Sequence, residues 1–123
     1  MTAVKHMKWW GWGVDGVGFH YEDKPGFAPF VQQAVGLDLT TATRTGEPSF
    51  SALTVPKSNA APAFVKKLAA IVGDDHVTTD DLARVIHTYG KSLRDLVRIR
   101  GNQIERSPDV VIYPADEAEV QAV

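Results

Sequence analysis

The sequence predicts an α+β fold, in which a mostly helical N-terminal region with an extended Trp-rich strap precedes one strand and the start of a further helix. Three observations predict this fold. Apolar residues recur with helical spacing between residues 60 and 100. A β-branched run at 110–112 lies between two prolines, as short strands often do. The stretch WWGWG at 9–13 is rich in tryptophan and glycine and shows no period.

These patterns divide the 123 residues into three predicted parts. Residues 1–59 are expected to form the extended strap with one short helix, residues 60–106 a helical region, and residues 107–123 the beginning of a second domain. The helices predicted from apolar spacing and from glycine stops span 27–37, 62–72, 78–90 and 92–98, and a further helix begins after Pro114.

Polar residues indicate where some of these helices begin. Thr78, with Asp81 three residues later, is predicted to cap the helix at 78–90 as a capping-box variant. Ser92 is predicted to cap the helix that follows. The side chains expected to face inward on the helix at 92–98 are Leu93, Leu96 and Val97.

The strand at 110–112 has no convincing partner strand upstream in the sequence. Its backbone groups therefore need a partner elsewhere. We expect the chain to be the front end of something longer, or to work beside another chain. The stretch 40–59 has no apolar period and is expected to run in extended form along another surface.

Composition excludes some functions. The net charge of −2 gives no general electrostatic reason to expect nucleic acid or an anionic membrane as a partner. The absence of cysteine excludes disulfides and thiolate chemistry and is compatible with the expected cytoplasmic location. No apolar run approaches the roughly 20 residues of a transmembrane helix.

Gly11, Gly13 and Gly16 have the G-x-G-x-x-G spacing of a dinucleotide-binding loop. That loop needs a buried strand before it and a helix after it, and the sequence predicts neither here. The preferred interpretation is a terminal segment anchored by large buried rings, with glycines that allow close backbone approach. A rim that binds a ligand by aromatic stacking is the alternative.

Few residues carry a pattern typical of catalysis or metal binding. No two of the four histidines have i, i+4 spacing, and no cysteine is present to complete a metal site. His87 is predicted to have a structural role at a helix end. The acidic residues around 74–81 are explained mostly as helix caps. We therefore assign no catalytic, cofactor-binding or metal-binding residue.

Two blocks of sequence carry a family resemblance, the opening KWWGWG and the stretch 68–120. The residues that carry it, for which we expect a structural role, are Trp9, Trp10, Gly11, Trp12, Gly13, Arg84, His87, Gly90, Ser92, Asp95, Arg98, Arg100, Gly101, Pro108, Asp109 and Pro114. Together they resemble the N-terminal portion of the alkylglycerone-phosphate synthase branch of FAD-linked oxidases, in the vanillyl-alcohol oxidase superfamily.

The resemblance implies a two-domain flavoenzyme whose PCMH-type FAD-binding domain begins near Pro108. In that family a Pro-x-Gly-Gly-Gly-Thr/Ser type loop holds the flavin pyrophosphate, one strand beyond the helix that begins at Asp116. The catalytic tyrosine and histidine lie still further along. No position of this chain matches them, so FAD would be held by the remainder of the same enzyme. This chain would brace the flavin domain, and alone it would be inactive.

The reaction implied is an ether-lipid step, in which an alkyl group replaces an acyl group on glycerone phosphate without net redox change. The flavin and substrate domains are the implied partners, and a homodimer is a further possibility. Two alternatives stay open. One is a 2-hydroxy-acid oxidase or dehydrogenase of the same superfamily. The other is a stand-alone, non-catalytic interaction module with exposed tryptophan and an open strand edge as its binding surface.

Overall fold

The chain divides into two units in the computed structural model, which describes residues 6–18, 20–42 and 46–123. Among these residues, one unit contains 6–15 and 48–123 and the other contains 16–42 and 46–47. Parts of the predicted strap (residues 1–5 and 19) and of the predicted extended connection (residues 43–45) lie outside the described residues. The described residues form helices and one two-stranded sheet, in agreement with an α+β fold.

The smaller unit contains one helix, α1 (Phe27–Val35), which confirms the helix predicted at 27–37. A turn precedes it, in which the backbone N–H of Phe27 donates to the carbonyl oxygen of Lys24 (2.9 Å). Gly36 ends it in the left-handed conformation (φ 72°), which glycine adopts without steric cost. The helix buries none of its residues, and Phe30 is 63% exposed.

The larger unit begins its helical part with α2 (Pro62–Val72), at the bounds that the sequence predicts. Pro62 occupies the first turn, where its missing N–H costs no hydrogen bond. Leu68 and Val72 are buried, and Gly73 follows the helix at φ 92°. A 3₁₀ turn at Asp74–His76 then leads into the sheet.

The sheet consists of β1 (Val77–Thr78) and β2 (Val111–Ile112), which pair antiparallel, with Val77 opposite Ile112. The N–H of Tyr113 extends the pairing by donating to the carbonyl oxygen of His76 (2.9 Å). The expectation that the strand near 110–112 has no partner in this chain is therefore wrong. A strand of two residues is too short to show the alternation from which strands are predicted.

The helix after β1, α3 (Asp81–Ile86), begins later and ends earlier than predicted. Its N-cap is Asp80, whose Oδ2 accepts from the N–H groups of Leu82 (3.0 Å) and Ala83 (3.2 Å). The predicted cap, Thr78, lies in β1, and its hydroxyl accepts from the N–H of Asp80 (3.0 Å). The capping-box prediction is wrong. Both Thr78 and Asp80 are of a type that caps helices, but Thr78 belongs to the paired strand β1, so the helix begins after Asp80.

Replacing Asp80 with alanine is expected to lower the free energy of unfolding by about 1 kcal/mol, since two N–H groups of the first turn lose their acceptor. Chemical denaturation followed by circular dichroism measures the change. Asp80→Asn is the matched control, because the amide oxygen still caps and should retain most of the stability. A larger loss for Thr78→Ala than for Asp80→Ala would contradict the assignment.

Helix α4 (Leu93–Arg100) is capped as predicted, since the hydroxyl of Ser92 accepts from the N–H of Asp95 (3.2 Å). Its buried face differs from the prediction. Leu96 and Ile99 are buried, whereas Leu93 is 67% exposed and Val97 is 62% exposed. The apolar positions of this helix form more than one possible stripe, and the pattern alone does not choose between them.

The last helix, α5 (Glu117–Ala122), confirms the helix predicted after Pro114. Its cap is Asp116, whose Oδ1 accepts from the N–H of Glu119 (2.9 Å). The core of the larger unit joins the N-terminal residues to α3 and α4. The buried members of the cluster that makes this connection are Trp9, Val85, Ile86, Ile99 and Ile104.

Candidate functional site

The N-terminal residues 6–15, here called the Trp hairpin, fold back on themselves. Met7 pairs with Val14 in an antiparallel bridge, and the N–H of Lys8 donates to the carbonyl oxygen of Gly13 (3.0 Å). Gly13 makes the bend possible at φ 84°. The extended course predicted for the strap does not hold over this stretch. The first helix after Gly16 begins only at Phe27, so the glycines do not lead into a helix as a dinucleotide-binding loop does.

The three tryptophans of the Trp hairpin have different environments. Trp9 is 8% exposed and packs edge-to-face on Phe50, with ring centroids 5.7 Å apart. Trp10 is half-buried beneath the guanidinium of Arg100, which lies 5.4 Å from the ring centroid. Trp12 is 59% exposed. The expectation of rings buried against the body therefore holds fully for Trp9 alone.

Polar contacts fix the Trp hairpin to the start and end of α4. The Nε–H of Arg100 donates to the carbonyl oxygen of Trp10 (2.7 Å). The Nε1–H of Trp12 donates to the carbonyl oxygen of Lys91 (2.7 Å), and Nζ of Lys91 donates to the carbonyl oxygen of Lys8 (2.7 Å). These contacts join residues roughly 80 to 90 positions apart in the chain. The two sequence blocks that carry the family resemblance therefore meet here.

Arg84 is the only charged residue among the buried side chains identified in the described residues, and its side chain is 1% exposed. Its Nε–H donates to the carbonyl oxygen of Pro108 (2.7 Å) and its Nη2 to the carbonyl oxygen of Pro56 (2.7 Å). Nη2 also donates to the hydroxyl of Ser107 (2.8 Å), and Nη1 pairs with Asp81 (2.6 Å). A buried guanidinium is tolerated when its donors are matched in this way. Arg84 therefore joins α3 to two segments distant in sequence.

The segment 48–59, the part of the predicted extended connection that lies in the larger unit, is held against the rest of that unit. Asp109 holds one end of it, since its Oδ1 accepts from the N–H of Asn59 (2.8 Å) and its carbonyl oxygen accepts from Ser58 (2.6 Å). Asn102 holds the middle through the N–H of Thr54 (2.7 Å). The backbone of Asn102 is in the left-handed conformation (φ 56°), which asparagine tolerates better than most residues.

The turn between α3 and α4 contains further residues of the predicted set. His87 ends α3, and its Nδ1 lies 2.7 Å from the carbonyl oxygen of Ala83. A Cβ at Gly90 would lie 3.2 Å from Oδ2 of Asp95, and that oxygen also accepts from the hydroxyl of Ser92 (2.7 Å). Gly101 follows α4, where a Cβ would lie 3.1 Å from the carbonyl oxygen of Val97. A side chain at either glycine would require the neighbouring oxygen to shift.

Two residues of the predicted set lie outside this framework. Arg98 is half-buried and borders a shallow concavity with Tyr89 and Arg106. Pro114 follows β2 closely. Residues that the sequence did not single out, Pro56, Lys91 and Asn102, hold the framework together. Pro56 and Lys91 accept hydrogen bonds through their backbone carbonyl groups. Every residue has such a group, so the residue type does not indicate this role in the sequence.

Burial changes the acidity of two groups in this unit. It lowers the pKa of the Lys91 ammonium and raises the pKa of the Tyr113 phenol, because each charged form loses hydration. In the smaller unit, hydrogen bonds from the side chain and backbone of Thr40 lower the pKa of Asp38. Within the described ranges, no group of three or more His, Asp or Glu side chains is placed to hold a metal ion. The contacts of this unit hold its segments in place.

Comparison with known proteins identifies the family. No family profile matches the sequence. An alkyldihydroxyacetonephosphate synthase of Dictyostelium discoideum is 45% identical over 60 residues, covering 49% of this chain and 10% of the synthase. A solved structure of an alkyldihydroxyacetonephosphate synthase superposes with a TM-score of 0.69 at 30% identity, covering 94% of this chain and 24% of the synthase. The chain thus spans a quarter or less of these synthases.

A shorter relative also matches. Protein Rv2250A of Mycobacterium tuberculosis is 31% identical over 108 residues, covering 88% of this chain and 69% of that protein. The class defined by the fold and the comparisons is that of the FAD-linked oxidases. Within it, the chain belongs to the alkyldihydroxyacetonephosphate synthase family, also called alkylglycerone-phosphate synthases, and corresponds to part of these enzymes. Among the described residues, no helix has the length and apolar character needed to cross a bilayer.

Proposed function

We propose that this chain is the N-terminal part of an FAD-dependent, alkyldihydroxyacetonephosphate synthase-like enzyme and braces its flavin-binding part. The observation that carries the proposal is the attachment of residues 107–113 to the helical region. Those residues lead into the strand with which, by family resemblance, the FAD-binding domain begins. A chain that holds this strand in place also holds the start of the flavin domain in place.

Three independent contacts support the bracing role. Arg84 binds the hydroxyl of Ser107 and the carbonyl oxygen of Pro108. Asp109 is joined to the segment 48–59. Strand β1 pairs with β2. Backbone hydrogen bonds of this kind position a segment without contributing reactive groups, so the chain supports the enzyme and carries none of its chemistry.

FAD is assigned to the remainder of the enzyme. A flavin pyrophosphate needs a cradle of backbone N–H groups, of which a helix N-terminus after a glycine-rich loop is the commonest form. The glycines of the Trp hairpin do not form one. We therefore propose that the chain alone binds no FAD and has no synthase activity, and that both require the flavin and substrate domains.

A chimera tests the proposal. The region of the solved synthase that superposes on this chain is replaced by these 123 residues, and the flavin content of the purified protein is measured by absorbance. We expect the chimera to retain FAD and to exchange acyl for alkyl groups, because the framework is transferred whole. The same chimera with Arg84→Met is expected to lose most of its flavin, since residues 107–108 are released.

The isolated chain is the matched control. It should give no saturable change in flavin fluorescence when FAD is titrated into it. A yellow, flavin-loaded preparation of the chain alone would contradict the assignment of FAD to the remainder. A chimera with Arg84→Met that keeps its flavin as fully as the unaltered chimera would contradict the bracing role.

Exposed apolar side chains favour a second candidate, a separate interaction module. Trp12, Leu93 and Val97 each have more than half of their surface exposed, and such side chains often mark a surface that meets a partner. The relative Rv2250A is 31% identical over 108 residues, which make up 69% of that protein, so similarity to this chain is not confined to the much longer synthases. Sedimentation separates the candidates. A monomer that does not associate with the flavin-binding part supports the module, whereas a complex formed on mixing the two supports the bracing role.

A further inference from the structure

A cavity of about 190 Å³ lies between the Trp hairpin, the end of α3 and the residue that follows β2. Met7 and Ile86 form part of its apolar wall. Its polar groups come from His6, His87, Tyr89, Lys91 and Tyr113. None of the residues that line it is acidic. The cavity is thus built from segments far apart in the sequence and contains a cation without an anion.

Lys91 is the residue whose charge is least compensated there. Its Nζ donates to the carbonyl oxygen of Lys8 (2.7 Å), which is a neutral acceptor, and an ammonium has three N–H groups. Partial burial lowers the pKa of Lys91, because the ammonium loses hydration. A carboxylate near Nζ would supply the missing negative charge.

Tyr113 is a second unsatisfied group in the wall. Its hydroxyl is buried and has no hydrogen-bond partner among the described residues. Buried hydroxyls are nearly always hydrogen-bonded, so an exception calls for a partner. The ring of His87 packs edge-on against Tyr113, with centroids 5.9 Å apart. Its Nδ1 faces the carbonyl oxygen of Ala83. A carbonyl oxygen only accepts, so Nδ1 carries the proton and Nε2 is left for another contact.

We propose that this cavity binds a short-chain monocarboxylate, with the carboxylate at Lys91 and Tyr113 and the carbon chain against Met7 and Ile86. The volume equals that of about six water molecules at ~30 Å³ each, which suits an acid of a few carbons. A monocarboxylate matches the charge of the single ammonium, whereas a phosphate dianion carries a second negative charge and no other Lys or Arg side chain of the described residues lines the cavity. The proposal does not depend on the proposed function, because it concerns this chain alone.

Propionate is the probe, and propionamide is its neutral isostere. In ¹⁵N-labelled protein, propionate is expected to shift the amide signals of His87, Lys91 and Tyr113 saturably, with a Kd on the order of 1–10 mM for so small a ligand. Propionamide at the same concentrations should give no saturable shift. Equal binding of the amide, or tighter binding of inorganic phosphate than of propionate, would overturn the proposal.

Two variants locate the site. Lys91→Met is expected to weaken propionate binding at least about tenfold, because the charge-assisted hydrogen bond is lost. Lys67→Met, at an exposed position of α2, is the matched control and should leave the Kd unchanged. Tyr113→Phe keeps the ring, removes the hydroxyl and is expected to weaken propionate binding several-fold. If Lys91→Met fails to fold, Tyr113→Phe alone tests the site. Unchanged binding in Tyr113→Phe together with unchanged binding in any folded Lys91→Met protein would overturn the proposal.

Discussion

Replacing Arg84 with methionine is expected to lower the free energy of unfolding by about 3–5 kcal/mol. The guanidinium is 1% exposed and donates to two backbone carbonyl groups, one hydroxyl and one carboxylate. Methionine fills much of the volume but donates nothing. The carbonyl groups of Pro56 and Pro108 would then be buried without their donor, which is costly for each. Urea denaturation of the chain measures the loss.

Two variants separate the possible causes of that loss. Asp81→Asn removes the charge of the partner carboxylate, which is 55% exposed, and should cost no more than about 1 kcal/mol. Arg84→Lys keeps the charge but cannot reach both carbonyl groups with a planar fork, so most of the loss should persist. A stability of Arg84→Lys close to that of the unaltered chain would show that charge, not geometry, holds these segments.

Replacing Trp9 with alanine is expected to have an effect of similar size, a loss of about 3–5 kcal/mol. Trp9 is the largest buried side chain of the core cluster that also contains Val85 and Ile99. Its ring packs on Phe50. Alanine would leave a cavity that the surrounding helices can fill only in part. Thermal unfolding monitored by circular dichroism measures the change.

Trp12→Ala is the matched control, since it removes the same side chain from the same hairpin. Trp12 is 59% exposed and makes one hydrogen bond, to Lys91, so its loss should cost about 1 kcal/mol or less. If Trp12→Ala proved as destabilising as Trp9→Ala, the Trp hairpin would be held by its polar contacts more than by burial of the ring.

Local rules predicted those parts of the fold that depend on neighbouring residues. Helix α2 was predicted at its observed bounds, because Pro62 and Gly73 mark its two ends and the apolar period lies between them. The cap of α4 at Ser92 follows from the same kind of signal. In both cases the residues that determine the structure lie within a few positions of it.

The parts that were missed depend on distant residues. Strand β1 is two residues long and exists because β2 lies beside it, so no local pattern announces it. The exposed side of α4 depends on which helices cover it, and the apolar pattern of Leu93, Leu96 and Val97 does not specify that. The sequence picked out Arg84 through family resemblance, but its acceptors at Pro56 and Pro108 are backbone carbonyl groups without a side-chain signature.

The pairing of β1 with β2 has a consequence for the order in which the chain becomes protected from solvent. The contacts of β2 are to residues more than thirty positions earlier, and they form only after that loop of chain has closed. The amide of Tyr113 should therefore exchange its hydrogen with water only in openings that also release Arg84 from Pro108. Residues 107–113 and the helices before them would then form a single foldon, which opens and closes as one cooperative unit.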